Sequence, residues 1–172
     1  MAETETNFST TRAEYLLFER YVLQDNIILC DAKSGILVGF AVVTLLWCFD
    51  RLREAVAAGE VGGEALLFGM AMLALLAVIV FGWRAIKPRI KRGNDHIYWG
   101  SKVFTGSEQD YIAAVGSVEP DILAADMLRH LHIQGSICRE KFDNFERALT
   151  ASQFAGLFVL LAVCYRLVSG IL

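Results

Sequence analysis

Proline is nearly absent, with two residues in 172, at Pro88 and Pro120. Cysteine is scarce too: Cys30, Cys48, Cys138 and Cys164 form no CxxC pair and no metal-ligand spacing. That excludes a disulfide-stapled secreted domain and a structural zinc module. Cys48 and Cys164 lie in or beside apolar runs, where a thiol packs as a small hydrophobe. Charged residues make up only 20% of the chain and the net charge is -3, so nothing draws it globally to nucleic acid or acidic lipid. No basic residue precedes Arg12 and the first apolar run begins beyond residue 30, so no cleaved signal peptide is expected. No Ser-His-Asp order, HExxH, P-loop or GxGxxG is present, and the carboxylates are scattered. His130 and His132 would point about 200° apart on a helix and cannot share an ion. Asp126 and His130 could, but a third ligand on that face is missing. No enzyme, cofactor or metal site is expected.

What the chain has is apolar length. Hydrophobic residues are 55% of the total, which also excludes a disordered chain. They concentrate in three stretches without a charge, Ser34–Phe49, Ala65–Trp83 and Ala151–Tyr165. The middle stretch, extended to Ile86, crosses a hydrocarbon core of about 30 Å unaided. The first is short and is entered through Asp31 and Lys33, with Lys33 able to snorkel to the interface. The third carries Arg166, which either reaches the headgroups or lines a bundle interior. The sequence therefore specifies an all-α membrane protein with three transmembrane helices. Residues 1–33 form a cytosolic N-terminal helix, 34–50 the first span, 51–64 an extracytoplasmic loop and 65–86 the second span. A cytosolic helical region over 87–150 leads into the third span, 151–172.

Thirteen of the sixteen Lys and Arg residues fall in the N-terminal segment or between the second and third spans. The cluster Arg84–Arg92 abuts the second span, where the positive-inside rule acts most strongly. The N-terminus and residues 87–150 are thus expected in the cytosol, and the C-terminus on the far side. In the insert, Pro88 ends the helix leaving the membrane. Ser107 reads as an N-cap for a short helix stopping near Gly116, and a second start follows at Ser117 with Pro120 in the first turn. Leu123, Met127, Leu131, Cys138, Phe142, Phe145 and Leu149 then recur at helical spacing. Nothing terminates that helix before Ala151, so it should run on into the third span. Leu16, Leu17, Tyr21 and Ile28 supply an apolar face expected to pack on this stripe.

Several residues are candidates for more than packing. Gly35-Ile-Leu-Val-Gly39 is a GxxxG, and Ala65 with Gly69 repeats small-xxx-small, allowing close helix approach within the chain or between protomers. Asp31 and Lys33 sit where the cytosolic part meets the first span, placed either to anchor it or to couple the two. Tyr98, Trp99 and Lys102, near the basic run Lys87–Arg92, could stack a base and hold a phosphate. The residues alone favour an interfacial aromatic belt.

The order Asp31-Ala-Lys33-Ser before a first span, a second span, Pro88, Ile97-Tyr98-Trp99-Gly100, Tyr111, and Arg139-Glu-Lys141-Phe142 leading to Ala148 and a last span resembles the transmembrane effectors of the Pycsar anti-phage systems. The resemblance covers about residues 15–170. Where that family tends to show Gly-Asp after the aromatic pair, this chain has Gly100-Ser101; where it tends to Lys-Tyr, this chain has Lys141-Phe142. The resemblance implies a bacterial inner-membrane effector paired with a nucleotide cyclase. It would respond to cyclic UMP or cyclic CMP by impairing the membrane lipid, causing abortive infection. It also implies a ligand site among Tyr98, Trp99, Arg139 and Lys141, coupling through Asp31 and Lys33, and assembly as a homo-oligomer. The alternatives are a membrane-anchored interaction module and a small channel subunit. The latter fits poorly with two spans that lack a polar face.

Overall fold

The structure is a computed structural model, and it describes residues 2–57, 59, 62–88 and 107–169. All regular structure among these residues is helical. Helix α1 runs Ala2–Ala57, α2 Gly63–Ile86, α3 Glu108–Gly116 and α4 Pro120–Ser169. Three of the four are long and apolar enough to cross a membrane. The helix that follows Pro120 and the third apolar stretch are one element, because no residue after Pro120 lacks an amide N–H or demands a break. The aromatic loop at Tyr98-Trp99 and Lys102 lies outside the described residues.

The chain divides into two compact units, one of Met1–Ile28 with Pro88–Arg139, the other of Leu29–Lys87 with Glu140–Leu172. The second unit holds the spans. Its ion pairs fix the helix directions. Asp31 of α1 meets Lys141 of α4 at one end, and Glu54 of α1 lies 4.0 Å from Arg166 of α4 at the other, so α1 and α4 run parallel. Arg166 is also 3.7 Å from Glu64, near the start of α2, and Lys141 reaches the end of α2, so α2 runs antiparallel to both.

The buried positions repeat in sevens. On α1 the repeat is Ser34, Ala41, Cys48 and Ala55, and on α4 it is Lys141, Ala148, Ala155 and Ala162, with Cys30 and Asn144 buried beside them. Along α2, Glu64, Phe68, Ala71, Leu75, Val78, Gly82 and Ala85 alternate steps of four and three. This is the seam of left-handed helix packing, with small residues recurring on each helix and letting the backbones close in. In lipid, where apolar faces gain nothing by leaving the solvent, such close van der Waals contact is what holds helices together. Among the described glycines the tightest approach is at Gly82. A Cβ built there would overlap the Val38 side chain of α1 and lie 3.8 Å from the Ser34 carbonyl oxygen. By contrast, a Cβ at Gly35, Gly39 or Gly69 has no heavy atom within 4 Å. The GxxxG glycines therefore face away from this bundle, and Ala65 is only half-buried.

Charged side chains bracket the seam. Lys33 to Arg51, Glu64 to Arg84 and Arg147 to Arg166 each span roughly 18 to 20 residues, about 27–30 Å of helix. That matches the hydrocarbon thickness. The short first span is thus completed by Lys33 and Arg51 at its two ends. Arg166 stands at the bundle end, half-exposed and paired with Glu64 and Glu54.

In the first unit, α1 buries Leu16 while Leu17, Tyr21 and Ile28 are exposed. Adjacent residues lie 100° apart on a helix, so Leu16 and Leu17 cannot both face inward; the inward positions are Leu16, Glu19, Leu23 and Ile27. On α4, Leu131 and Cys138 are buried there and Asp126 pairs with Arg129 at 3.3 Å. Helix α3 opens on a reciprocal cap. The Asp110 N–H donates to Ser107 Oγ at 3.2 Å, and the Ser107 N–H and hydroxyl donate to the Asp110 carboxylate at 3.0 and 2.7 Å. Those bonds hold the Asp110 pKa below its ordinary value.

Filling the Gly82 approach tests the seam. Gly82→Val should lower stability toward unfolding in mixed micelles by about 1–3 kcal/mol through overpacking. Gly35→Ala, Gly39→Ala and Gly69→Ala should leave the monomer's unfolding curve in place.

Candidate functional site

Helix α2 ends because Pro88 supplies no N–H. The Lys87 N–H closes the last turn on the Trp83 carbonyl at 2.9 Å. The final carbonyls of any helix have no partner within it, and they carry the negative end of its dipole. Here the partner is a cation from another helix. Lys141 Nζ donates to the Ala85 carbonyl at 2.8 Å and to the Ile86 carbonyl at 3.4 Å. Its remaining acceptor is the Asp31 carboxylate of α1. An ammonium has three N–H groups, and all three are taken.

Lys141 is among the most buried polar residues, 3% exposed, while the Asp31 side chain is about a third open to solvent. Around it the layer is small and polar. Ser34 is fully buried, and its Oγ has no hydrogen-bond partner. Asn144, one turn along α4, is buried and donates from Nδ2 to the Glu140 carbonyl at 2.7 Å. One ammonium therefore joins three helices at one end of the span unit. At the other end Arg166 meets Glu64 and Glu54, Arg51 pairs with Glu54 at 2.6 Å, and Arg51 sits 5.8 Å over the Trp47 ring.

The sequence-based candidates separate on this geometry. Asp31 and Lys141 come together, whereas Lys33 and Arg139 are exposed. Tyr98 and Trp99 lie outside the described residues. The buried role of Lys141 was not visible in the apolar stripe, which reads Phe142 and Leu149 as inward. Both are about two-fifths exposed. The seam instead steps from Cys138 to Lys141, Phe145 and Ala148. A seven-residue repeat of alanines, Ala148, Ala155 and Ala162, extended backwards, lands on Lys141 and is the signal that finds it. Among the described residues no group of three or more His, Cys, Asp or Glu side chains is placed to hold a metal.

The family profile described as the Pycsar effector protein domain matches residues 15–168, enclosing both charged ends of the bundle. The chain belongs to the Pycsar effector family. No curated protein and no solved structure matches it. As a Pycsar effector it is a transmembrane component of anti-phage defence. The family implies pairing with a cyclic nucleotide signal and with the cyclase that makes it.

Removing the buried cation strands two carbonyls as well as a carboxylate. Lys141→Met should therefore cost about 3–5 kcal/mol of stability. Asp31→Asn keeps an acceptor but leaves the buried ammonium without its counter-charge, and should cost about 1.5–3 kcal/mol. Chemical unfolding in detergent compares the two; equal costs would mean that the α2 carbonyls contribute nothing.

Proposed function

We propose that this Pycsar effector binds a cyclic pyrimidine mononucleotide, cyclic UMP or cyclic CMP, in its cytosolic region. Binding leads it to disrupt the inner membrane, ending the infected cell before the phage matures. The observation that carries the reading is α4, one unbroken helix from Pro120 to Ser169 that joins the cytosolic insert to the third span. A ligand can shift the spans only if it binds two states unequally, and a helix common to both regions gives it the means.

In this reading Tyr98 or Trp99 stacks the base and the exposed Arg139 meets the phosphate. Arg139 suits the role because its guanidinium lies open to solvent and offers a planar fork to an anion. The excess of Lys and Arg on one side supports a cytosolic N-terminus and an inner-membrane location. Gly35, Gly39 and Gly69, open on the outer faces of α1 and α2, leave room for a second copy in a homo-oligomer.

Purified protein in dye-loaded liposomes should release dye on addition of cyclic UMP or cyclic CMP and not of their linear monophosphates. Arg139→Ala should weaken nucleotide binding about 10- to 100-fold, the loss expected of a charge-assisted contact. The exposed His132→Ala should leave it unchanged. Absence of release with every cyclic mononucleotide would exclude the gating reading.

A further inference from the structure

The Lys141 ammonium does more than stabilise one helix end. It is bonded to α1 through Asp31 and to α2 through the Ala85 and Ile86 carbonyls, and it belongs to α4. All three spans thus meet on one nitrogen, and that nitrogen has no donor left over. Asp31 and Lys141 also stand within two residues of Leu29 and Glu140, where α1 and α4 enter the span unit. A rotation or pull arriving along either helix acts on this layer before it reaches the alanine seam. The alanines below, Ala148, Ala155 and Ala162, pack by van der Waals contact, and the next side-chain ion pairs from α4 are the half-exposed ones of Arg166 at the far end.

The layer also carries a mark of incomplete satisfaction. Ser34, one turn from Asp31, is fully buried with an unpartnered hydroxyl. Buried polar groups are almost always paired, and this hydroxyl would gain a partner in any arrangement that admits water to the layer. The partial exposure of Asp31 leaves one side of the contact within reach of solvent.

We propose that the contact of Lys141 with Asp31 and the carboxy-terminal carbonyls of α2 is a lock that keeps the three spans closed, and that withdrawal of Lys141 is the opening step. What withdraws it rests on the cyclic-nucleotide reading; the lock does not. In this account the resting effector is held inactive by its own contact, and opening exposes an ammonium, a carboxylate and two carbonyls together.

The lock is asymmetric, and the asymmetry supplies the test. Full-length protein is reconstituted in phosphatidylethanolamine–phosphatidylglycerol vesicles loaded with a self-quenching dye, with no nucleotide present. Wild type and Lys141→Arg, which keeps donors for all acceptors, should retain dye. Lys141→Met should leak at least about tenfold faster, as a bundle released from its closed state. The charge exchange Asp31→Lys with Lys141→Asp restores a plain ion pair but turns a carboxylate toward the α2 carbonyls, so it should leak as well. Far-UV circular dichroism checks that each variant keeps its helices. Tight vesicles with a fully helical Lys141→Met protein would overturn the lock, as would a charge exchange that holds dye like wild type. Should Lys141→Met lose helicity, Asp31→Asn decides: faster leakage than wild type supports the lock, and full retention overturns it. A wild type that ignores every cyclic nucleotide would remove the sensing reading and leave this outcome standing.

Discussion

A single buried ammonium sets the terms for the span unit. A charge taken out of water is costly unless its partners are well placed, and Lys141 has three of them from two other helices. The α2 terminus needs a cation because Pro88 ends the helix and leaves carbonyls unmatched. Asp31 balances the charge, and the small residues Ser34, Gly82 and Ala85 let the three backbones approach close enough for one side chain to serve them all. Remove any part of that set and the others lose their reason for being buried.

The two ends of the bundle solve related problems differently. At the Arg166 end, the cation is half-exposed and faces two carboxylates at 3.7 and 4.0 Å, an arrangement that water can loosen and re-form. At the Lys141 end the cation is shut in and fully bonded. Pairs of the first kind contribute little and yield easily, whereas pairs of the second kind are all-or-none. A contact of the second kind suits a bundle that is to hold one closed arrangement until the whole contact is broken.

Much of this was legible in the sequence. Two prolines in 172 residues, three charge-free stretches and a helical stripe with no stop after Pro120 specify the all-α membrane fold and the shared helix α4. The order of Asp31, Pro88, Arg139 and Lys141 pointed to the family that the profile bears out. The packing residues were harder. GxxxG at Gly35 and Gly39 draws the eye, yet the contact lies at Gly82 and along alanines seven apart, because close approach depends on which face meets a neighbour, and spacing alone does not say. Lys141 was hidden for a similar reason. A lysine beside Phe142 reads as the solvent side of a stripe until the acceptors from α1 and α2 are known, and those lie 110 and about 55 residues away in the chain.

The central claim is that the spans separate at the Lys141 layer when the effector acts. Spin labels at the exposed positions Lys87, the residue that caps α2, and Asp143 of α4, both in the same unit, read that separation directly in vesicles by pulsed dipolar spectroscopy. The account predicts one short distance in resting protein and a second, longer one on addition of the activating cyclic nucleotide. An unchanged distance distribution in vesicles that are releasing their dye would contradict it.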